Sequence, residues 1–255
     1  MKYTIFSALA ALVLCSLALN SPAVNTVEFE QASLIFEVNN TAKDIGVQLK
    51  LDGEPWNQVM LFNPNGKLLA DIEGKGNLKD LGITEQFFET NEPTFLGPDA
   101  ETTISEYLKK FPKGKYELEG TTIDGAKIEG TAELSLILPC GPVITSPVGK
   151  PDPDNTVIAW NPVTTEINHE TGVCDSNPSP KINIVGYEVI IENEATLLKA
   201  FDVILPATAN SVMVSPEFLD FDTTYKIEVL AIQGNKGEYG NQTITEGSFT
   251  TATAP

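Results

Sequence analysis

Hydrophobic and polar residues alternate along much of this chain. The alternation has a period of two in the stretches 34–38, 47–51 and 128–138. This period is typical of strands that bury one face and expose the other. Asn65-Gly66 and Asp124-Gly125 interrupt such runs, and both pairs suit the tight turns of hairpins. The pattern predicts an all-β chain built mainly of antiparallel strands.

One segment departs from the strand pattern and predicts a short helix. Thr103 and Glu106 have the spacing of a capping box, in which each residue hydrogen-bonds the backbone of the other. Ile104, Tyr107 and Leu108 then fall on one side of a helix. We expect this helix to be a crossover between strands.

The 255 residues leave room for two domains of ordinary size. Pro139-Cys140-Gly141-Pro142 ends the strand pattern of the first half, since proline cannot donate a hydrogen bond to a strand ladder. We therefore predict a signal peptide at 1–23, a β-rich domain at 24–139 and a second domain at 140–255. Both domains are expected to be β-sandwiches, and the helix belongs to the first.

The signal peptide is predicted from the first residues of the chain. Lys2 supplies a positive charge and 6–14 is apolar. Cleavage after Ala18 and cleavage after Ala23 both fit the small residues that precede these positions. The apolar run is shorter than the roughly 20 residues of a membrane-spanning helix. We expect a secreted protein, extracellular or periplasmic, without a transmembrane segment.

Seven short strands are expected in the second half. They lie at 143–146, 156–160, 186–192, 201–204, 211–214, 225–231 and 241–251. Seven strands that enclose a tryptophan, here Trp160, suggest an immunoglobulin-like sandwich.

The order and spacing of several motifs make the second half similar to a fibronectin type III domain. The motifs are Pro142–Pro147, Trp160, the run from Gly186 through Tyr187 to Val189, the run from Leu219 through Tyr225 to Ala231, and Ser248–Thr251. The resemblance covers about residues 141–252. It implies that Trp160, Tyr187, Leu219 and Tyr225 belong to the core. It also implies that Leu219 and Tyr225 form the tyrosine corner of that family.

The cysteines suggest a disulfide. Cys15 lies within the predicted signal peptide, and Leu14 stands where a lipid-attachment motif would carry a small residue. Export would leave Cys140 and Cys174, which an oxidising compartment favours as a pair. Strand parity places both at the same pole of the sandwich. Two unrelated thiols are the alternative.

A long connection separates two strands of the second half. Residues 161–182 form a loop far above the usual length, and it holds the only histidine, His169. Loops at one pole of a sandwich carry binding residues in immunoglobulin variable domains. The alternatives are a tolerated insertion and, given the predicted disulfide, a brace between the domains.

Composition limits the possible partners. The net charge is −19 and all sixteen basic residues are lysines, so nucleic acid is not expected as a partner. We expect no cofactor. Calcium is the alternative, at Asp52 with Glu54 or at Asp152, Asp154 and Asn155, although no EF-hand spacing occurs.

The sequence gives little support for catalytic activity. One histidine on a loop does not make a catalytic triad or a zinc site, and pairs of carboxylates arise by chance in so acidic a chain. Two triplets, at Asn39 and Asn241, match glycan acceptors. We therefore predict a non-enzymatic binding or adhesion protein that recognises an extracellular protein or a polysaccharide. The alternatives are a structural spacer or accessory subunit of a cell-surface assembly and, after it, a carbohydrate-active enzyme.

Overall fold

A computed structural model describes residues 25–235 and 238–255. The predicted signal peptide therefore lies outside the described residues. None of the helices within the described ranges is long and apolar enough to cross a membrane.

The described chain is mostly β-strand. The first half contains β1 (Thr26–Glu28), β2 (Gln31–Asn39), β3 (Asp44–Phe62), β4 (Leu68–Glu73), α1 (Asn77–Leu81), β5 (Ile83–Glu89), α2 (Ile104–Lys110), β6 (Gly114–Thr122) and β7 (Lys127–Leu134). The second half contains β8 (Val143–Ser146), β9 (Val157–Asn161), β10 (Ile184–Asn193), β11 (Leu198–Pro206), β12 (Ser211–Met213), β13 (Thr224–Asn235) and β14 (Glu238–Thr250). The prediction of an all-β fold with a short helix is confirmed.

The long strand β3 organises the first half. Its first part, Asp44–Asp52, pairs with β2 and β5, whereas its last part, from Trp56 onward, pairs with β6 and β4. The register shifts between these two parts. One strand thus serves two sets of partners, and Trp56 at the change of partners is fully buried.

The second half forms two sheets of a sandwich. The order β12-β9-β8 makes the smaller sheet, and β14-β13-β10-β11 makes the larger one. Trp160 of β9 and Tyr187 of β10 face each other across the core with ring centroids 5.3 Å apart. All seven strands that the sequence predicts are present, and β10, β11, β13 and β14 are longer than expected.

Two tyrosine hydroxyls of the second half accept hydrogen bonds from backbone N–H groups. The backbone N–H of Asp220 donates to the Tyr225 hydroxyl at 2.8 Å, beside the buried Leu219. The backbone N–H of Val163 donates to the Tyr187 hydroxyl at 2.9 Å. The first bond has the geometry of a tyrosine corner.

The predicted helix is α2. Thr103 caps its start and Glu106 returns the hydrogen bond to the backbone of Thr103. The other helix, α1, was not anticipated from the sequence. None of its five residues is buried, so it has no apolar periodicity from which it could be recognised.

The two halves share one sheet. Residues Glu37–Asn39 of β2 pair in parallel with Gln242–Ile244 of β14, which joins the strands of the first half to the larger sheet of the second. Next to this pairing, Gly141 of the connecting segment lies between Asn40 and Thr245. An added Cβ would approach them to within 2.7 and 2.4 Å, so no side chain fits there.

A buried amide completes this junction. The side-chain oxygen of Asn241 accepts from the backbone N–H of Phe36 at 2.9 Å. Its amide nitrogen donates to the carbonyl oxygens of Ser135 and Ile137, each at 2.9 Å. Asn241 is 1% exposed, so in the folded protein it is not accessible as the glycan acceptor that its triplet suggests.

The tyrosine corner generates a first prediction. Tyr225→Phe leaves the partly buried N–H of Asp220 without its acceptor, so the free energy of unfolding should fall by about 1 to 3 kcal/mol. Chemical denaturation measures the loss, and Tyr239→Phe, at an exposed tyrosine, is the control. Equal stability of Tyr225→Phe and the parent protein would contradict the role of this bond.

The junction generates a second prediction. Asn241→Leu keeps the approximate volume but leaves three backbone groups unpaired, so it should cost about 3 kcal/mol or more. Asn210→Leu, at an exposed asparagine, is the control.

The parent protein should unfold in one transition. Two separate transitions would show that the halves unfold independently.

Candidate functional site

The long loop lies between the two halves. The backbone N–H of Cys140 donates to the carbonyl of Thr165 at 3.0 Å, and that of Ile167 donates to Leu138 at 2.9 Å. Ile167 is 2% exposed. Near the tip of the loop, the carbonyl of His169 accepts from the N–H of Ser105 in the first turn of α2. The sequence left three possibilities for this loop: a binding loop, a tolerated insertion and a brace between the domains. These contacts support the brace.

A disulfide fastens this loop. Cys140 and Cys174 are joined with a Cα–Cα distance of 5.9 Å. The 34-residue separation corresponds to about 3 to 4 kcal/mol in the chain-entropy description of disulfide stabilisation. The bridge connects the loop to the segment that links the two halves. His169 therefore belongs to a fastened segment rather than to a free binding loop.

Both halves contribute strands to the outward side of the shared sheet. We call the outward face of β5, β3, β2, β14, β13, β10 and β11 the broad face. In β13, for example, Tyr225, Ile227 and Val229 point into the core, so the intervening Lys226 and Glu228 belong to the broad face. Seven strands at the usual spacing make it about 29 Å wide.

The cross-strand register shows that the broad face passes through the junction without a break. One row consists of Asp44, Asn39, Ile244, Leu230, Glu188 and Ile204, each on the next strand. The first two residues belong to the first half and the other four to the second. The row has apolar residues in its middle and a carboxylate toward each end.

Three carboxylates gather on the first-half side of the broad face. Oxygens of Glu37, Glu89 and Glu92 all lie within 4.8 Å of one another, and we call these residues the carboxylate cluster. Glu92 follows β5, and its side chain lies over Gly46, where an added Cβ would come within 2.9 Å of it. The side-chain amide of Gln242, from β14, donates to Glu37. The second half therefore contacts the cluster directly.

The environment of the cluster disfavours the charged form of its carboxylates. Burial, followed by repulsion from Glu89 and Asp44, raises the pKa of Glu92 to about 7. Burial also raises the pKa of Glu37, against the hydrogen bond from Gln242. Burial is the main cause of the raised pKa of Asp44, one of whose carboxylate oxygens is buried without a hydrogen-bond partner. Burial, with a smaller contribution from mutual repulsion, therefore favours the protonated form of these carboxylates.

A second acidic site lies at the opposite side of the broad face. Burial, together with a hydrogen bond and repulsion from Asp202, raises the pKa of Glu188 above its usual range. Lys199 forms an ion pair with Asp202 at 3.1 Å. Between the two acidic sites, Lys226 pairs with Glu228 and Glu246, each at 2.8 Å.

The residues that the sequence suggested for calcium lie elsewhere. Asp152 uses its side chain to cap a 3₁₀ turn, where it accepts from Asp154 and Asn155. Within residues 25–235 and 238–255, the carboxylate cluster is the group whose spacing could hold a cation. Its Glu37 already accepts from Gln242. The expectation that the protein needs no cofactor stays a prediction.

Sequence reasoning missed the residues of the broad face. Trp160, Tyr187, Leu219 and Tyr225 are all buried, so the residues singled out by resemblance lie in the core rather than at a site. Glu37 and Glu92 are 55 positions apart in the chain, and neither lies in a motif. The one signal in the sequence was Gly46. A glycine inside an otherwise regular strand indicates that another part of the protein approaches the strand closely.

No protein-family model and no curated protein matches the chain. Among solved structures, it is similar to the FN1–FN3 domains of chicken CNTN1, at 10% identity over 89% of this chain and 65% of that one, with a TM-score of 0.33. It is also similar to the fn3 domain of the human collagen alpha-1(XX) chain, at 18% identity over 46% and 83%, with a TM-score of 0.30.

A third similar structure is a tetra-tandem repeat in the extending region of a large adhesion protein. The identity is 13% over 87% of this chain and 49% of that one, with a TM-score of 0.30. The chain thus spans less than two thirds of the length of the two structures that match most of it. The architecture described above follows from the strand order.

The raised pKa of Glu92 generates a third prediction. The folded protein holds this proton more tightly than the unfolded chain, so the contribution is stabilising below about pH 4.5 and is lost as the pH rises through about 7. The free energy of unfolding should therefore fall between pH 5 and pH 8. The raised pKa of Glu188 also lowers the free energy of unfolding as the pH rises.

Glu92→Gln removes one of these titrating groups and should flatten the pH profile. Urea denaturation at several pH values measures the effect, with Glu194→Gln at an exposed turn as the control. An unchanged slope in Glu92→Gln would contradict the proposed electrostatics of the cluster.

Proposed function

We propose that this chain is an exported, non-enzymatic binding or adhesion protein whose broad face recognises an extracellular partner. The observation that carries the proposal is the continuity of that face across the junction. A face about 29 Å wide is large enough for a protein–protein contact of ordinary size. The disulfide is consistent with export, because disulfides persist in oxidising compartments.

The exposed side chains favour a protein over a polysaccharide. Sugar rings stack on exposed aromatic side chains, and the sequence offers Trp56, Phe87, Phe88 and Phe95 as candidates. Trp56 and Phe95 are buried and Phe88 is partly buried, whereas Phe87 is 54% exposed. Ile204 is exposed at the other side of the broad face. Scattered apolar side chains among charges are more typical of protein interfaces than of sugar-stacking platforms.

The junction gives specific support to one alternative. A spacer must hold its ends in a fixed relation, and the buried Asn241 amide, the disulfide and the shared sheet all oppose bending between the halves. A spacer would need no ligand on the broad face. The two functions therefore differ in what a surface substitution does.

An array of extracellular proteins and glycans, probed with the chain lacking residues 1–23, tests the proposal. Phe87→Ser/Ile204→Ser should abolish binding to the captured protein. Leu78→Ser/Met213→Ser removes similarly exposed apolar groups away from the broad face and should retain it. Equal binding by both variants, or no bound protein, would contradict the proposal. Capture of glycans alone would overturn the preference for a protein, and no capture at all would favour the spacer.

A further inference from the structure

The hairpin between β10 and β11 carries two exposed leucines. Leu197 is 71% exposed and Leu198 is 68% exposed, and we call this pair the leucine tip. Because β10 begins directly after the fastened loop and runs away from it, the leucine tip lies at the pole of the second half that is remote from that loop. Apolar side chains that stay in water contribute no burial to the fold.

Leu197 also has an unfavourable backbone conformation. Its φ is 58°, in the left-handed region that glycine and asparagine adopt far more readily than leucine. The turn imposes this conformation. The side chain of Asn193 accepts from the N–H groups of Ala195 and Thr196, and the N–H of Leu197 donates to the carbonyl of Asn193 at 2.8 Å. Hairpins that close in this way commonly have glycine at the left-handed position.

The hairpin between β2 and β3 has the same turn and shows how such a conformation can be compensated. The side chain of Asn39 caps that turn, and Lys43 is the left-handed residue, with φ 64°. The carbonyl of Lys43 accepts from the backbone N–H of Phe95 at 2.7 Å, so a distant segment holds this residue in place. Leu197 forms no such bond with another part of the described chain. Contacts within residues 25–235 and 238–255 therefore explain neither its conformation nor its exposure.

An acidic groove lies beside the leucine tip. It has a volume of about 470 Å³ and is lined by residues 193–196 of the hairpin and by residues 222–224. The N–H of Glu194 donates to the carbonyl of Thr224 at 3.1 Å, which joins the two walls. Glu194 and Asp222 are both exposed, and over the described ranges no lysine nitrogen lies within 4.0 Å of either carboxylate. The groove is therefore complementary to a cation.

We propose that the leucine tip inserts into an apolar pocket of an extracellular protein, and that a lysine or arginine beside that pocket contacts Glu194 and Asp222. This inference rests on the proposed binding function and adds a second contact to it, at the end of a hairpin rather than on the broad face. Insertion would bury both leucines. The turn already fixes the backbone of the tip, so little backbone entropy is lost when it binds.

Charge argues against other occupants of the leucine tip. An anionic membrane would face Glu194 and Asp222 at the tip and a net charge of −19 on the chain. A second copy of this chain that docked through its own tip would bring the same two carboxylates against them. An apolar pocket with a basic rim fits both the leucines and the groove.

Leu197→Gly separates the backbone conformation from the apolar contact. Glycine adopts the left-handed region freely, so the melting temperature should rise by about 2 to 4 °C although a side chain is lost. Leu197→Ala keeps the unfavourable conformation, so its melting temperature should stay below that of Leu197→Gly. A melting temperature of Leu197→Gly below that of the parent protein would show that the turn favours leucine for its own stability and would overturn the proposal.

Binding is measured with the chain lacking residues 1–23 on the array of extracellular proteins, followed by titration of each captured protein. The tip variant is Leu197→Gly/Leu198→Thr. Its control is Leu78→Ser/Leu81→Ser, which removes two leucines of similar exposure from α1.

A second pair of variants tests the groove. The groove variant is Glu194→Gln/Asp222→Asn, in which asparagine tolerates the φ of 50° at position 222. Its charge-matched control is Glu30→Gln/Glu54→Gln, at two exposed glutamates. The melting temperature of every variant establishes that it is folded.

For at least one captured protein, the tip variant should raise Kd by about tenfold or more, whereas the leucine control should change it less than about threefold. The groove variant should raise Kd by about threefold or more at low ionic strength, and this effect should shrink in about 0.5 M salt. Equal losses in either variant and its control would show general attraction to an apolar or acidic protein and overturn the proposal.

Two further measurements address the other occupants of the tip. Tip-dependent binding to vesicles of phosphatidylcholine and phosphatidylglycerol, or a tip-dependent dimer in sedimentation velocity, would overturn the proposal. A captured protein that loses affinity with Phe87→Ser/Ile204→Ser but not with the tip variant would support the binding function and overturn this inference alone. The two failures are therefore distinguishable.

Discussion

The contact between the two halves depends on one buried amide, the side chain of Asn241. Asn241 lies in the last strand of the second half, and its side chain bonds three backbone groups of the first half. A buried backbone group without a hydrogen-bond partner lowers the stability of the fold. These bonds therefore contribute most to stability where water is excluded. They hold β14 against β2 at the place where the parallel pairing begins. Two halves that could have been joined by a linker alone thereby share a sheet.

The other contacts of the junction act in the same direction. The loop that contains Cys174 is bonded to the linking segment and to the first turn of α2, so it braces the halves beside the chain connection. The loop can serve this purpose because its backbone groups find partners in both halves. What resembles an insertion in a fibronectin-like sequence is a structural part of this molecule.

A rigid junction has an electrostatic consequence. It keeps Glu37 beside Glu89 and Glu92, and it places Gln242 of the other half against the same carboxylates. In a chain without arginine, lysine is the only permanent cation that could neutralise such a group. Among the described residues, Lys50, Lys199 and Lys226 are engaged with Glu85, Asp202, Glu228 and Glu246.

The sequence by itself determined what depends on neighbours in the chain. The period of two predicted the strands, the capping pair predicted α2, and strand parity placed Cys140 and Cys174 at the same pole. The sequence did not predict α1, because its residues are all exposed and show no apolar periodicity. The broad face and the carboxylate cluster were decided by tertiary structure alone. They combine residues up to about two hundred positions apart, such as Glu37 and Gln242, whose contact follows from the pairing of β2 with β14 and from no local pattern. Periodicity shows which side of a strand is buried, but the partner of an edge strand is set by side chains such as Asn241 that contact distant parts of the chain.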